Sequence, residues 1–285
     1  MLMKRYTSTL LILLMTSPAA LAASVSATST SVKKLDNSAG LSLDNVGISL
    51  SNTFATDIKT PNAANKSMVN TTALTISYKL DSTTKLTLST IYDKDLENDR
   101  EGLIRDPKIG LSKSFGKLNK YLSAAASTSA KIPLSKSSRI TTSLQTGLSL
   151  AGSLTYDASE HILRDLSITY APAAIVNFHK YRVTTAGSSN TQYTLSNTLA
   201  LNYGLTDIVS LSASGTYYRN FDYTGHTKDF FGIEQTASFV LPQNFSLSVG
   251  HATGGSALAV NGRESNVSLF DRNLSSYFLN IGFSY

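Results

Sequence analysis

The stretch Leu274-Ser-Ser-Tyr-Phe-Leu-Asn-Ile-Gly-Phe-Ser-Tyr285 alternates without a break. Tyr277, Leu279, Ile281, Phe283 and Tyr285 fall on one face, and Ser276, Asn280, Gly282 and Ser284 on the other. A period of two belongs to a β-strand with one apolar side, so the chain is predicted to end inside a strand. A free strand edge with a wholly apolar face invites pairing with other chains. Closing the sheet into a barrel in lipid removes the edge and gives that face a matching solvent.

The same rhythm runs back through residues 41–285. Predicted strands cover Asp44–Ala55, Met68–Leu80, Lys85–Asp93, Lys108–Leu118, Tyr121–Ile132 and Arg139–Tyr156. They continue at Leu166–Tyr181, Tyr193–Gly204, Val209–Phe221, Phe230–Leu241, Phe245–Thr253 and the terminal stretch. Apolar residues recur at alternate positions, as in Ile48, Leu50 and Phe54, or Leu148, Leu150 and Leu154. Pro172 has no amide hydrogen to give a ladder and predicts a bulge. The run Ala124, Ala126, Thr128, Ala130 is the least apolar outward row.

Short links such as Asp81-Ser-Thr, Thr206-Asp207 and Pro242-Gln-Asn alternate with longer connections. Aromatics gather near strand ends, with Tyr78, Phe115, Tyr156, Tyr203, Phe245 and Phe283 towards one rim. Phe54, Tyr92, Phe178, Tyr193, Tyr217 and Phe231 lie towards the other, as amphipathic rings do at two membrane interfaces. The expected fold is all-β: a transmembrane antiparallel up-and-down β-barrel of about 12 strands, with short periplasmic turns and longer extracellular loops. The terminal aromatic after alternating apolar positions resembles the assembly signal of bacterial outer-membrane β-barrels. That resemblance covers the last strand only. It implies Tyr277, Leu279, Ile281, Phe283 and Tyr285 as the signal, the barrel-assembly machinery as a partner, and residence in the Gram-negative outer membrane.

Residues 1–22 read as a secretory signal peptide: Lys4 and Arg5, an apolar run from Leu10 to Met15, then Ala20-Leu21-Ala22. The run is too short to span a bilayer as a helix. Residues 23–40 are rich in Ser, Thr and Ala and read as a flexible periplasmic lead-in. The sequence has no cysteine, so neither disulfides nor thiolate metal sites arise. Charged residues make up 15%, against about 25% in soluble domains. The basic excess is small and dispersed, which argues against nucleic acid as a partner. The expected surroundings are outer-membrane lipid and lipopolysaccharide.

Parity places Ser49, Ser51, Thr75 and Ser112 on the inward face, with Ser143, Gln145 and Ser149 following. Ser196, Asn202, Ser212 and Glu234 complete the row, and Lys79, Lys85 and Arg139 are the other charged inward candidates. Small hydroxyls leave a lumen of this width unfilled, and water occupies it. The expectation is a porin-like channel for passive diffusion of small hydrophilic solutes, with no cofactor and no metal. Selectivity would come from mouth charge at Arg100, Arg105, Arg182 and Arg263.

Two other classes remain at this point. His251-Ala-Thr253 resembles, over a few residues, the His-x-Ser strand motif of outer-membrane phospholipase A and lipid A deacylase. That resemblance implies an acyl hydrolase with His251 as base, although Thr stands in place of Ser and no orienting partner is identifiable. The third class is a surface adhesion or structural barrel acting through its loops. The acidic row Asp93, Asp95, Glu97, Asp99 and Glu101 offers oxygen ligands for calcium, but reads first as a solvated loop.

Overall fold

The computed structural model describes residues 45–59, 66–97, 101–259, 261–271 and 273–285. The signal peptide, the lead-in and Arg100 lie outside them. Twelve long strands form one antiparallel sheet: β1 (Val46–Asp57), β2 (Met68–Lys79), β3 (Thr84–Asp95), β5 (Lys108–Lys117), β6 (Leu122–Lys131) and β7 (Leu144–Asp157), then β8 (Leu166–His179), β9 (Thr191–Gly204), β10 (Val209–Asp222), β11 (Thr227–Val240), β12 (Phe245–Ser256) and β13 (Ser275–Ser284). A three-residue strand, β4 (Gly102–Ile104), pairs only with the end of β3. Every long strand pairs with the long strands next to it in sequence, and β1 pairs with β13, so the twelve long strands close into a ring. This is the barrel the alternation predicts.

The exposed face carries the large apolar side chains. Ile48, Leu50, Leu88, Ile109, Leu148, Leu199 and Ile281 all stand out from it, and Leu150 is 64% exposed. Very few apolar residues are buried. In water such a surface would associate; in hydrocarbon it is solvated, and the ladder satisfies every strand's backbone internally. The polar exceptions on this face bond to one another. Asn52 and Asn70 exchange amide hydrogen bonds of 3.0 and 2.9 Å, and Tyr170 donates to Asn197 at 2.6 Å.

The turns at one end are short because side chains stand in for the ladder. Asp81 accepts from the backbone N–H groups of Thr83 and Thr84, Asn119 from those of Tyr121 and Leu122, and Thr206 from those of Ile208 and Val209. Asx- and Ser/Thr-turns close a hairpin in this way. The turn at 241–244 instead places Gln243 and Asn244 at φ +60 and +64. At the other end the connections are longer, apart from residues 223–226, where β10 and β11 extend further than predicted.

Three expectations need correcting. Residues Ser137–Thr141 form a π-helical turn, so the strand predicted from Arg139 begins at Leu144. Ser143, at φ +50, joins the two and does not lie in the sheet. A register shift follows between Leu144 and Thr146, where Leu144 is buried and Gln145, expected in the inward row, is exposed and has no partner on β8. Pro172 makes no bulge. The β7–β8 register is the same on both sides of it, and only the pairs at Gly152 and Ser153 drop out. Gly152 has no side chain to meet the ring: its Cβ position lies 4.0 Å from Pro172 Cγ.

Candidate channel lumen

Twelve strands spaced ~4.8 Å apart and tilted ~40° enclose a ring roughly 24 Å across the backbone. Ser49, Ser51, Thr75, Ser112 and Ser149 alternate with exposed apolar neighbours and so face inward, as do Ser196, Asn202, Ser212 and Glu234. The hydroxyls bond across strands: Ser129 with Ser149 at 2.7 Å, Thr155 with Thr169 at 3.0 Å, Thr198 with Thr216 at 2.9 Å and Ser238 with Ser248 at 2.9 Å. Each pair satisfies one donor and leaves acceptor lone pairs for water. The wall is not uniformly open, since Ser196, Thr198 and Thr216 are almost wholly buried.

Rings share this inner surface. Tyr218 and Phe230 are register partners on β10 and β11 and stack at 5.1 Å with an interplanar angle of 12°. Phe278 lies over Gly250, where a Cβ would fall 2.3 Å from the ring; only glycine leaves it room. Parity alone reveals these inward aromatics, because each shares its face with the hydroxyl row.

Charge is distributed differently from the expected mouth ring. Arg105 forms an ion pair with Asp93, which also accepts from Thr71 at 2.7 Å. Arg182 and Arg263 are exposed in outer connections, and Arg139 stands exposed on the π-helical turn. Lys79 and Lys85 face inward as register partners at the periplasmic end. Lys108 and Lys131, outside the expected charged set, are also register partners and face inward at the outer ends of β5 and β6. The parity of Ile109 and Ile132 identifies both.

His251 and Thr253 share the outward face of β12, as their spacing requires, yet no hydrogen bond joins them. The His251 Nε2 atom and the Thr253 hydroxyl are both buried without a partner. The connection from β12 to β13 folds back over this part of the outer face. Phe270 stacks on His251 at 5.5 Å, Tyr277 lies on its other flank at 5.5 Å, and Leu274 covers Gly255. Phe231, expected in the outer aromatic rim, is buried in the same region. This is packing, not a base poised on a nucleophile. Among the described residues no three His, Asp or Glu side chains converge as a metal site. His161 and His226 bond to Tyr156 and Thr224, and His179 to Tyr223.

No protein-family model matches the chain, and no curated protein resembles it in sequence. Solved structures resemble it in fold. The COG4313 outer membrane channel from Pseudomonas putida F1 is 11% identical, covering 88% of this chain and 100% of that one, with a TM-score of 0.59. The NanC porin is 14% identical over 83% of this chain and 98% of its own, with a TM-score of 0.53. The KdgM porin, solved in complex with disordered oligogalacturonate, is 10% identical over 83% and 99%, with a TM-score of 0.50. At these identities the likeness is one of fold. The closed twelve-strand sheet and its apolar exterior have the porin fold, that of a transmembrane β-barrel.

Proposed function

We propose that the barrel is a passive channel for small hydrophilic solutes. The observation that carries this reading is the inward row of small hydroxyls on a closed ring of twelve strands. Ser and Thr side chains project too little to meet across roughly 24 Å of backbone separation, and their spare lone pairs favour a water-filled interior. The KdgM porin complex supports the same reading, since a barrel of this fold there accompanies a hydrophilic oligomer. Outer-membrane lipid and lipopolysaccharide meet the apolar belt. The signal peptide would direct export, and the exposed ring of Tyr285 on the last strand suits engagement by the barrel-assembly machinery.

Planar-bilayer recording of the refolded mature chain tests this function. Steady open steps that grow with salt concentration are expected. A folded barrel that passes no current would sink the reading.

A further inference from the structure

We infer that the outer half of the lumen favours anions carried on a flat ring, namely small ring-bearing carboxylates. This rests on the channel reading and adds a solute class to it. Lys108 is the first residue of β5 and Lys131 the last of β6, and they sit directly opposite one another on the inner wall. Both are half-buried. Among the described residues neither makes an ion pair.

The acids nearby are committed elsewhere. Asp93 is held by Arg105 and Thr71. Asp106 accepts from the backbone N–H groups of Leu134 and Ser135 and from the Ser138 hydroxyl. Like charges placed opposite one another on a sheet oppose folding, and partial burial adds to that cost. An anion between the two ammonium groups relieves both. Beside Lys131, the space over buried Gly147 is filled by Asn177, whose amide oxygen lies 2.9 Å from where a Cβ of Gly147 would be.

The rings stand across the lumen. Counting round twelve strands, β11 lies opposite β5. Phe230 on β11 offers its half-buried ring in the outer half, backed by the stacked and buried Tyr218 of β10, with Phe278 on β13 beyond them. Glu234, the inward acid of β11, lies further towards the periplasm, and Asp222 at the end of β10 is held by Thr224 and the His226 N–H. With backbones roughly 24 Å apart, extended lysines and rings leave a gap on the order of 10 Å. That accommodates a hydrated ring acid, its carboxylate drawn to the lysines and its flat face to the aromatics.

The test uses the refolded mature chain in planar bilayers under a potassium chloride gradient. The wild type is expected to show an anion-selective reversal potential. Lys108→Gln with Lys131→Gln should lower the chloride-to-potassium permeability ratio severalfold while the channel stays open. Benzoate or glucuronate should interrupt the current, and benzamide should not. Stronger block by benzoate would identify aromatic acids as the favoured class, and stronger block by glucuronate sugar acids. Tyr218→Leu with Phe230→Leu should weaken that block at least threefold without changing the ion preference. An open channel without anion preference overturns the inference alone. So does a ratio unmoved by the lysine changes, block by neither acid, or block by benzamide equal to that by benzoate. A folded but silent barrel overturns the channel reading and this inference together.

Discussion

Tyr285 and Ile48 exchange both backbone hydrogen bonds, Ile48 N–H to Tyr285 O at 2.9 Å and Tyr285 N–H to Ile48 O at 2.8 Å. The last residue thus fastens the seam between β13 and β1. Deleting Tyr285 removes both bonds, each about 1 kcal/mol net in water and more where water is excluded. The expected outcome is slower folding into detergent micelles and a lower urea midpoint, followed by heat-modifiable electrophoresis. Tyr285→Phe keeps the backbone pair and should behave as wild type.

Gly250 is required by the inward ring of Phe278. A Cβ there would meet the ring at 2.3 Å and the Gln235 carbonyl oxygen at 2.7 Å. Gly250→Ala should therefore destabilise the barrel by about 1–3 kcal/mol, the usual range for overpacking. Adding Phe278→Leu frees the ring's space and should recover part of the loss. The backbone clash remains, so full recovery in urea titrations would contradict this geometry.

The Asn52–Asn70 amide pair faces lipid. Replacing Asn70 alone by Leu leaves Asn52 with its Thr72 contact at 2.9 Å but strips one amide donor and one acceptor. An unpaired amide in hydrocarbon costs more than an absent one. Asn52→Leu with Asn70→Leu should thus cost less than the sum of the two single changes. A double-mutant cycle in lipid vesicles reads the coupling, and strict additivity would show the pair to be inert.

Acid should loosen the β2–β3 turn. The Thr83 hydroxyl, the Thr83 N–H and Thr84 hold the Asp81 carboxyl well below the usual carboxylate range. A folded-state value below the unfolded one, about 3.9, stabilises the fold above that pH. The stabilisation is then lost as pH falls towards the folded value. Asp81→Ala should lower the unfolding midpoint at neutral pH. The gap from wild type should hold down to pH ~4 and narrow below it.

The site was less legible than the fold. Period-two alternation assigned faces correctly at Ile48, Leu148 and Ile281, because lipid outside and water inside impose opposite demands on neighbouring residues. It failed at Ser143, which joins a π-helical turn to the strand, and the register shift that follows takes Gln145 out of the ladder. It also misread Pro172, where the ladder loses the pairs at Gly152 and Ser153 but keeps its register. Neither event leaves a mark within its own segment.

From the sequence alone, the barrel class, the outward apolar rows, the hydroxyl lining and the closing role of the last strand follow, since each depends on residues two apart on one strand. Only the tertiary structure decided which residues meet across strands and across the ring. Register set Lys108 against Lys131 and Tyr218 against Phe230, and the β12–β13 connection turned back to cover His251 and Thr253. Those juxtapositions come from strand stagger and loop path, which join residues far apart in the chain, and alternation within one strand carries no record of them.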